Sequence, residues 1–353
     1  MSLQFDDTYS SQALIAVPNL VKRGLVGTFF ANPGTDRFKS YSRVWGEFCP
    51  AHQQELANHT MNHIGAQDYE QADYEIGECA RYIWSVRPPG STKLQAFARG
   101  GGTTWNITSS QMNELLNKYH CITRHSLLSC STDNGVDAAR MTSMADRAIS
   151  NQEWIPIHFH SITEDGAATL SIKEADFIEF LDYLSGVKDQ LWVGGYISVY
   201  QYREERNTAN LQLLENSPER IVLNLTSSKD SSLFKEPLTL LTEVPTNWDV
   251  CQVTQNAETT FYVVQESSIC MFSAVPNRGN IILSKARTPK IVVHPHDTTV
   301  FKNEKVIFTI QAIGSGNIDY QWQQNGVNLA GAETPLSIDH TTVSYTHLTL
   351  PTN

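Results

Sequence analysis

The sequence predicts an α/β fold, specifically a distorted seven-stranded (β/α) barrel, followed by all-β accessory domains. Short apolar segments alternate with helix-period segments from Ser2 to about Arg206, which is typical of parallel β/α architectures. After about Asn210 this pattern gives way to short runs of β-branched and aromatic residues separated by turn signals. At 353 residues, the chain is long enough for two or three domains.

Seven short apolar segments are predicted to form the strands of the barrel: 3–5, 25–30, 55–57, 94–98, 121–125, 154–160 and 191–199. Two helices are predicted between them, over 69–83 and 173–187, the second with Phe177, Leu181 and Leu184 on one face. In such a barrel the reactive groups are expected at the C-terminal ends of the strands.

Composition divides the chain into four parts. Residues 1–208 are predicted to form the barrel, 209–286 a small all-β domain, and 287–342 a partial immunoglobulin-like domain with Trp322 as its core tryptophan. Residues 343–353 are predicted to be a non-native tail, because they begin like a translated sequencing-transposon end. No signal peptide precedes the first strand, so we expect either a cytoplasmic protein or an incomplete N-terminus.

Charge and composition exclude several classes of function. A formal net charge of -11 argues against broad binding to nucleic acid, which requires clustered Lys and Arg. No apolar run is long enough for a membrane span. The six cysteines form no C-x-x-C pair, so a thiolate zinc site has no support. Disulfides stay open, with Cys251 and Cys270 the favoured pair.

The most informative feature combines Asp6-Asp7 at the end of the first strand with His59 and His63. Adjacent carboxylates on an extended backbone point in different directions, so one can bind a metal while the other faces substrate. Two histidines four apart share one face of a helix or turn. A lone Asp-Asp pair is more often a solvated turn, but this order and placement favour a catalytic metal site with open coordination positions.

These residues resemble the motifs of the NodB-type polysaccharide deacetylases over Ser2 to about Arg206. The family's first motif, T-F-D-D-G, is similar to Gln4-Phe5-Asp6-Asp7-Thr8, and H-[ST]-x-x-H is matched by His59 to His63. The third, R-x-P-Y, is matched after its strand only by Arg99, which Gly100-Gly101-Gly102 follow. The last, L-x-H, corresponds to His158-Phe159-His160, whereas the D-x-x-D-W motif is absent.

The resemblance implies a role for each matched residue. Asp7, His59 and His63 would bind one divalent metal ion, with zinc the default, and Asp6 would be the general base. His160 would be the general acid, and Arg99 would orient Asp6 through a charge-assisted hydrogen bond. The backbone N–H groups of Gly101 and Gly102 are expected to contact substrate and help stabilise an oxyanion.

The function predicted is therefore metal-dependent hydrolytic deacetylation of an N- or O-acetylated carbohydrate, with an acetylated polysaccharide or oligosaccharide as partner. The alternative is an inactive carbohydrate-binding or adhesive surface protein on the same barrel. A non-glycan amidohydrolase using the same metal site is a third reading. From such substrates and accessory domains we expect a secreted, periplasmic or cell-surface location.

Overall fold

The computed structural model describes residues 1–286, 290–295, 306–313, 320, 322–324, 327–329 and 336–338. The chain forms two compact units. Unit 1 comprises Met1–Asn207 and Lys229–Glu236, and unit 2 comprises Thr208–Ser228 and Pro237–Asn353. The expected non-native tail, 343–353, lies outside the described residues.

Unit 1 alternates short strands with helices, as its sequence pattern indicates. Its strands are β1 (Ser2–Asp6), β2 (Gly27–Ala31), β3 (Glu55–Asn58), β4 (Gln95–Phe97), β5 (Cys121–Thr123), β6 (Leu128–Ser129), β7 (Pro156–Phe159), β8 (Ser161–Thr163) and β9 (Ser171–Lys173). Its α-helices are α1 (Val17–Lys22), α2 (Asp36–Ser40), α3 (Cys49–Ala51), α4 (Tyr69–Val86), α5 (Ser109–Lys118), α6 (Ala138–Asn151), α7 (Glu174–Gly186) and α8 (Tyr196–Thr208). Gln12–Ala16 and Val44–Phe48 are π-helical, and Thr132–Asn134 is a 3-10 turn. Both helices predicted from periodicity, α4 and α7, are confirmed.

Seven of these strands form one curled sheet in the order β5-β4-β3-β2-β1-β7-β6. Every adjacent pair is parallel. The sheet is a half-barrel, open between β5 and β6, rather than a closed cylinder. Because its strands are parallel, their C-terminal ends lie along a common rim, and the predicted site residues follow β1, β3, β4 and β7 on that rim.

One predicted strand is wrong. Residues 191–195 have no regular structure, α8 begins at Tyr196, and the seventh strand is β6 instead. The carboxylate of Glu55 accepts the backbone N–H of Ile197 at 3.1 and 3.2 Å, which satisfies an orphan donor of the first helical turn. A Cβ at Gly195 would lie 2.2 Å from Glu55 Oε2, so a larger residue there would displace the carboxylate that accepts from Ile197.

Aromatic side chains of the central strands pack against the helical layer. Phe5 on β1 is paired in register with Phe29 on β2 and Phe159 on β7. Its ring centroid lies 4.8 Å from that of Phe29 and 5.2 Å from that of Phe159, and Phe177 of α7 meets it edge-on. All four rings are fully buried. The alternate residues Gln4 and Asp6 therefore face the inside of the half-barrel, where Asp6 reaches the rim.

Unit 2 is all-β in its described part, as the sequence predicts. Its strands are β10 (Ala209–Asn216), β11 (Arg220–Ser227), β12 (Leu238–Glu243), β13 (Val250–Gln255), β14 (Glu258–Gln265), β15 (Ile269–Ala274), β16 (Asn280–Lys285), β17 (Lys290–Val293), β18 (Val306–Phe308), β19 (Gln311–Ile313), β20 (Gln323–Gln324), β21 (Val327–Asn328) and β22 (Leu336–Ile338). The first seven form an antiparallel sheet, and Glu266–Ser268 is a 3-10 turn. Cys251 and Cys270 are buried free thiols on β13 and β15.

The segment Lys229–Glu236 departs from the domain division expected from sequence, because it packs with unit 1. The carbonyl oxygen of Leu233 accepts hydrogen bonds from Thr92 Oγ1 and Gln201 Nε2. In unit 2, Trp322 is buried with Ile310 and Phe308. The immunoglobulin-like assignment of 287–342 stays a prediction. No helix in the described part of the chain is both long and apolar enough to cross a bilayer.

Candidate metal and catalytic site

Three potential metal ligands converge at the C-terminal rim of the half-barrel. Asp7 follows β1 directly, His59 follows β3, and His63 lies on the turn after it. Asp7 has φ 71°, and His63 has φ 59°. Such left-handed conformations are costly for residues with a side chain, and they concentrate at functional sites where the surrounding structure enforces them.

The donor atoms of the three residues face one another. Asp7 Oδ1 lies 3.4 Å from His59 Nε2 and 3.2 Å from His63 Nε2. One ligand atom from each residue lies within 4.8 Å of the other two, and in the part of the chain that the structure describes no other group of three has this property. His59 is buried, whereas Asp7 and His63 are half-buried. The cluster is therefore closed on one side and open towards the surface on the other.

The chemistry of this donor set fits a cation. His59 Nδ1 lies 2.9 Å from the carbonyl oxygen of Ala98, so Nδ1 carries a proton, and in the neutral ring Nε2 is a lone-pair acceptor. A hydrogen bond of this kind also fixes the tautomer of histidines that bind metals. Two imidazole lone pairs and a carboxylate would repel one another unless a proton or a metal ion lies between them. Only a metal ion can be shared by all three.

The ionisation of Asp7 and His63 agrees with this arrangement. Burial alone would raise the pKa of Asp7, but its contacts with His59 and His63 hold that pKa far below its ordinary value. The hydrogen bond that Asp7 accepts from His63 in turn raises the pKa of His63, despite an opposing effect of burial. A proton on His63 therefore competes with any cation for the site, and binding of a metal would release that proton.

Polar contacts hold the histidine turn in place. Asn58 Oδ1 accepts the N–H of Thr60 at 3.0 Å, and Thr60 Oγ1 accepts the N–H of His63 at 3.1 Å. Glu75 of α4 accepts both the backbone N–H and the side-chain amide of Asn62, each at 2.7 Å. Gly100 packs on the His63 ring so closely that a Cβ there would lie 2.5 Å from Nε2. The two imidazoles are thus positioned before any ligand binds.

Asp6 points to the same place but has a different partner. Arg124 donates to both of its carboxylate oxygens, with Nη1 at 2.6 Å from Oδ1 and Nη2 on Oδ2. Burial would raise the pKa of Asp6, but Arg124, His59 and His158 together lower it below its ordinary value. The Arg124 guanidinium also lies over the Phe30 ring, 4.4 Å from its centroid. Asp6 is therefore held ionised and in one orientation.

This pairing corrects the role predicted for Arg99. Arg99 follows β4 as expected, but it is exposed, and the arginine that pairs with Asp6 is Arg124, which follows β5. The backbone N–H of Arg124 donates to the carbonyl of Phe97 at 2.9 Å, which carries the chain inwards from the sheet edge. The signal in the sequence was a polar residue directly after a strand, a position that Arg99 and Arg124 share.

His160 lies beside the carboxylate of Asp6, with Nε2 at 3.9 Å from Oδ2. Gln12 donates from the same amide nitrogen to the carbonyls of Asp6 at 2.5 Å and His160 at 2.7 Å, so the ends of β1 and β7 are tied together. The neighbouring His158 is bound through Nδ1 to Ser126 Oγ at 2.8 Å. Burial lowers the pKa of His158 to about 4, so this imidazole is neutral near pH 7.

The two predicted substrate-binding glycines and two further aspartates have no hydrogen bond or ion pair with these groups among the described residues. Gly101 and Gly102 form an exposed turn directly after Gly100, and their expected contact with substrate stays a prediction. Asp137 is the N-cap of α6, where it accepts the N–H of Arg140 at 2.8 Å. Asp133 accepts the N–H of Leu170. Both aspartates are thus engaged with backbone groups.

Comparison with known proteins gives partial matches. A search against protein-family models finds no match. Among curated proteins, a gellan lyase of a Bacillus species is 29% identical over 171 residues, which cover 46% of this chain and 7% of that protein. The chain therefore spans a small fraction of this relative's length.

Several solved structures are similar to the chain. A family 4 carbohydrate esterase from Streptomyces lividans in complex with acetate is 20% identical, with a TM-score of 0.37 over 53% of this chain and 88% of that one. The peptidoglycan deacetylase PdaC from Bacillus subtilis is 14% identical, with a TM-score of 0.40 and coverages of 58% and 92%. A family 4 pseudoenzyme from Bacillus anthracis is 15% identical, with a TM-score of 0.38, and the chain covers 62% of it.

Proposed function

We propose that this chain is a metal-dependent hydrolase that removes acetyl groups from an N- or O-acetylated carbohydrate. The observation that carries the proposal is the convergence of Asp7, His59 and His63 beside His160 and an ionised Asp6. Two imidazoles and one carboxylate leave coordination positions open, as a catalytic metal requires, and this donor set suits zinc. When bound, the ion would polarise the acetyl carbonyl and lower the pKa of water at the site.

The protein groups divide the proton transfers between them. Asp6 takes a proton from the attacking water, because Arg124 keeps its carboxylate ionised and aimed at the rim. His160 gives a proton to the nitrogen or oxygen that leaves the acetyl carbon. His160 Nε2 lies 3.9 Å from Asp6 Oδ2, a separation that would let both groups serve the same reacting centre. The products are acetate and the free amine or hydroxyl of the sugar.

Acetate release is the direct test. The purified chain loaded with zinc should release acetate from acetylated glycans, and removal of the metal by a chelator should stop the reaction until zinc is restored. Chitin oligosaccharides test the amide, and acetylated xylan tests the ester. A protein that binds these glycans but releases no acetate with any divalent metal would instead be the inactive carbohydrate-binding protein that is the alternative reading of the sequence.

Arg124 is expected to matter through Asp6. Changing Arg124→Gln should reduce deacetylation of a neutral substrate by about 10- to 100-fold, the usual effect of losing a group that orients a catalytic partner. Metal content should be unchanged, because Arg124 contacts no metal ligand in the pairs described above. The matched control is Arg140→Gln, an exposed arginine on α6. An equal loss in Arg99→Gln on this neutral substrate would return the orienting role to Arg99.

A location outside the cytoplasm is part of the same proposal, since polymeric acetylated glycans are found there. Fractionation of cells that express the natural gene, followed by detection of the protein outside the cytoplasm, is the measurement that checks it.

A further inference from the structure

A cavity lies outside the proposed site, between the outer face of the sheet and α5. It encloses about 210 Å³ between the ends of β4 and β5 and the first turns of α5. Its polar lining comes from Arg99, Thr108, Ser109, Asn113 and Thr123, and its apolar wall includes Trp105. Arg99 is the single charged residue among those that line it. A cation is therefore the dominant electrostatic feature of a pocket in a chain whose net charge is -11.

Arg99 is available to a ligand. It is exposed, and among the described residues no hydrogen bond or ion pair of its side chain is found. Two other arginines of unit 1 are paired with acidic residues: Arg23 binds Asp182 at 2.6 Å, and Arg147 binds Glu153 at 2.5 Å. A guanidinium that faces a cavity without an acidic neighbour retains its full capacity for a bidentate bond to an oxyanion.

The chain connects this cavity directly to the reacting centre. Arg99 lies between Ala98, whose carbonyl oxygen accepts from His59, and Gly100, which packs on His63. On the other wall, Thr123 immediately precedes Arg124, the partner of Asp6. Consecutive Cα atoms are about 3.8 Å apart, so both polar walls lie one residue from groups of the proposed site. Successive side chains of a strand point to opposite faces, so Arg99 and Thr123 face the outer side of the sheet. A glycan that occupies both the proposed site and the cavity must therefore cross the rim between them.

Trp105 adds a surface of a different kind. Its indole N–H donates to Thr103 Oγ1 at 3.0 Å, so the polar end of the side chain is already used and the ring offers carbon surface to the cavity. An apolar ring beside a cation and several hydroxyl and amide groups matches a sugar, which has C–H faces, hydroxyls and, in acidic sugars, one anionic group.

We propose that this cavity is a subsite for an acidic sugar residue next to the acetylated one, with Arg99 binding its carboxylate or sulfate group. The proposal rests on the deacetylase function above and names its substrate class, an acetylated acidic glycan. Arg99 is a specificity residue here, since it would select the neighbouring sugar without taking part in proton transfer.

The test compares two acetylated oligosaccharides that differ in one charge. One carries an uronic acid next to the acetylated sugar, and the other is its methyl ester, in which the carboxylate is neutralised. In the zinc-loaded wild type, kcat/KM should be at least 10-fold higher for the acid, chiefly through a lower KM, and the preference should shrink as salt concentration rises. A sulfated analogue shows which acidic group the subsite prefers.

Variants of Arg99 show whether this residue causes the preference for the acidic substrate. Arg99→Gln should raise KM about 10-fold for the acidic substrate and less than twofold for its ester. Arg99→Lys should keep part of the preference, because lysine retains the positive charge but not the bidentate hydrogen-bonding geometry of the guanidinium. The control Arg140→Gln, on the exposed side of α6, should behave as wild type with both substrates. Equal kinetics of wild type and Arg99→Gln on both substrates would overturn the subsite.

Binding without turnover separates this proposal from the first. Calorimetric titration with the deacetylated acidic oligosaccharide should give heat in wild type and about 10-fold weaker binding in Arg99→Gln. Deacetylation of both substrates without preference would refute the subsite and leave the proposed function standing. Charge-dependent binding with no acetate release from any substrate would refute the deacetylase function and, with it, the role of the cavity as a substrate subsite.

Discussion

Replacing His63 by alanine is expected to weaken binding of a divalent metal by roughly 100-fold or more, beyond the effect usual for outer-shell partners, because it removes one of three convergent donors. Deacetylation should fall to background. A ligand present at 100 times its dissociation constant stabilises a protein by about 2.7 kcal/mol. For a unit of this size, that corresponds to roughly 5–10 °C in the unfolding temperature. Zinc should therefore raise the melting temperature of wild type but not of His63→Ala.

The matched control is His52→Ala, which removes an exposed imidazole that precedes β3, at the opposite end of the strand from His59. It should retain one metal ion per chain, measured by elemental analysis, and the thermal shift of wild type. Stoichiometric metal in His63→Ala, or equal loss in both variants, would refute the ligand assignment. Because a proton on His63 competes with the ion, metal affinity should also weaken as pH falls.

The second large effect is expected at Asp6. Asp6→Asn should lower deacetylation by about 100-fold or more, the scale of a general-base contribution, while metal content stays at one ion per chain. The variant also leaves Arg124 without its buried charge partner, which costs roughly 3–5 kcal/mol in comparable pairs. A loss of activity alone would therefore not separate catalysis from folding.

A double variant makes that separation. In Asp6→Asn with Arg124→Gln, no unpaired charge remains, so the melting temperature should recover much of its loss while activity does not. Recovery of both would make Asp6 a structural residue, and loss of metal in Asp6→Asn would make it a ligand.

The acid stability of wild type checks the pair independently. Arg124 and His59 lower the pKa of Asp6 in the folded chain despite its burial. Ionised Asp6 therefore contributes fully to the free energy of unfolding at pH values above the ordinary Asp pKa of about 3.9. This contribution is lost as the pH falls through the lower pKa of Asp6 in the folded chain. Asp6→Asn should remove this part of the acid-induced loss of stability.

Much of unit 1 could be predicted because its signals are local. A strand ending in Phe5-Asp6-Asp7 has the alternation that places Phe5 in the core and Asp6 at the rim, and both helices predicted from periodicity form. The convergence of Asp7, His59 and His63 followed from motif order and from the common rim of parallel strands.

What failed depends on contacts distant in sequence. The apolar run 191–199 reads as a strand, but Glu55, far away along the chain, accepts the N–H of Ile197 and starts a helix there. Arg99 and Arg124 both follow strands, and only the curl of the sheet decides which one reaches Asp6. Local propensity contains neither piece of information.

The opening between β5 and β6 also bears on how the chain associates with others. These edge strands have only three and two residues, which is too short for stable pairing with the edge of another sheet. The segment 124–127 joins them, and its two ends are hydrogen-bonded to the neighbouring strands through the N–H groups of Arg124 and Leu127. In unit 2 the edge strand β10 has eight residues, with Leu211, Leu213 and Leu214 exposed by 45%, 59% and 53%. β10 is therefore an edge at which aggregation of the described chain is expected, and Leu213→Lys should reduce it.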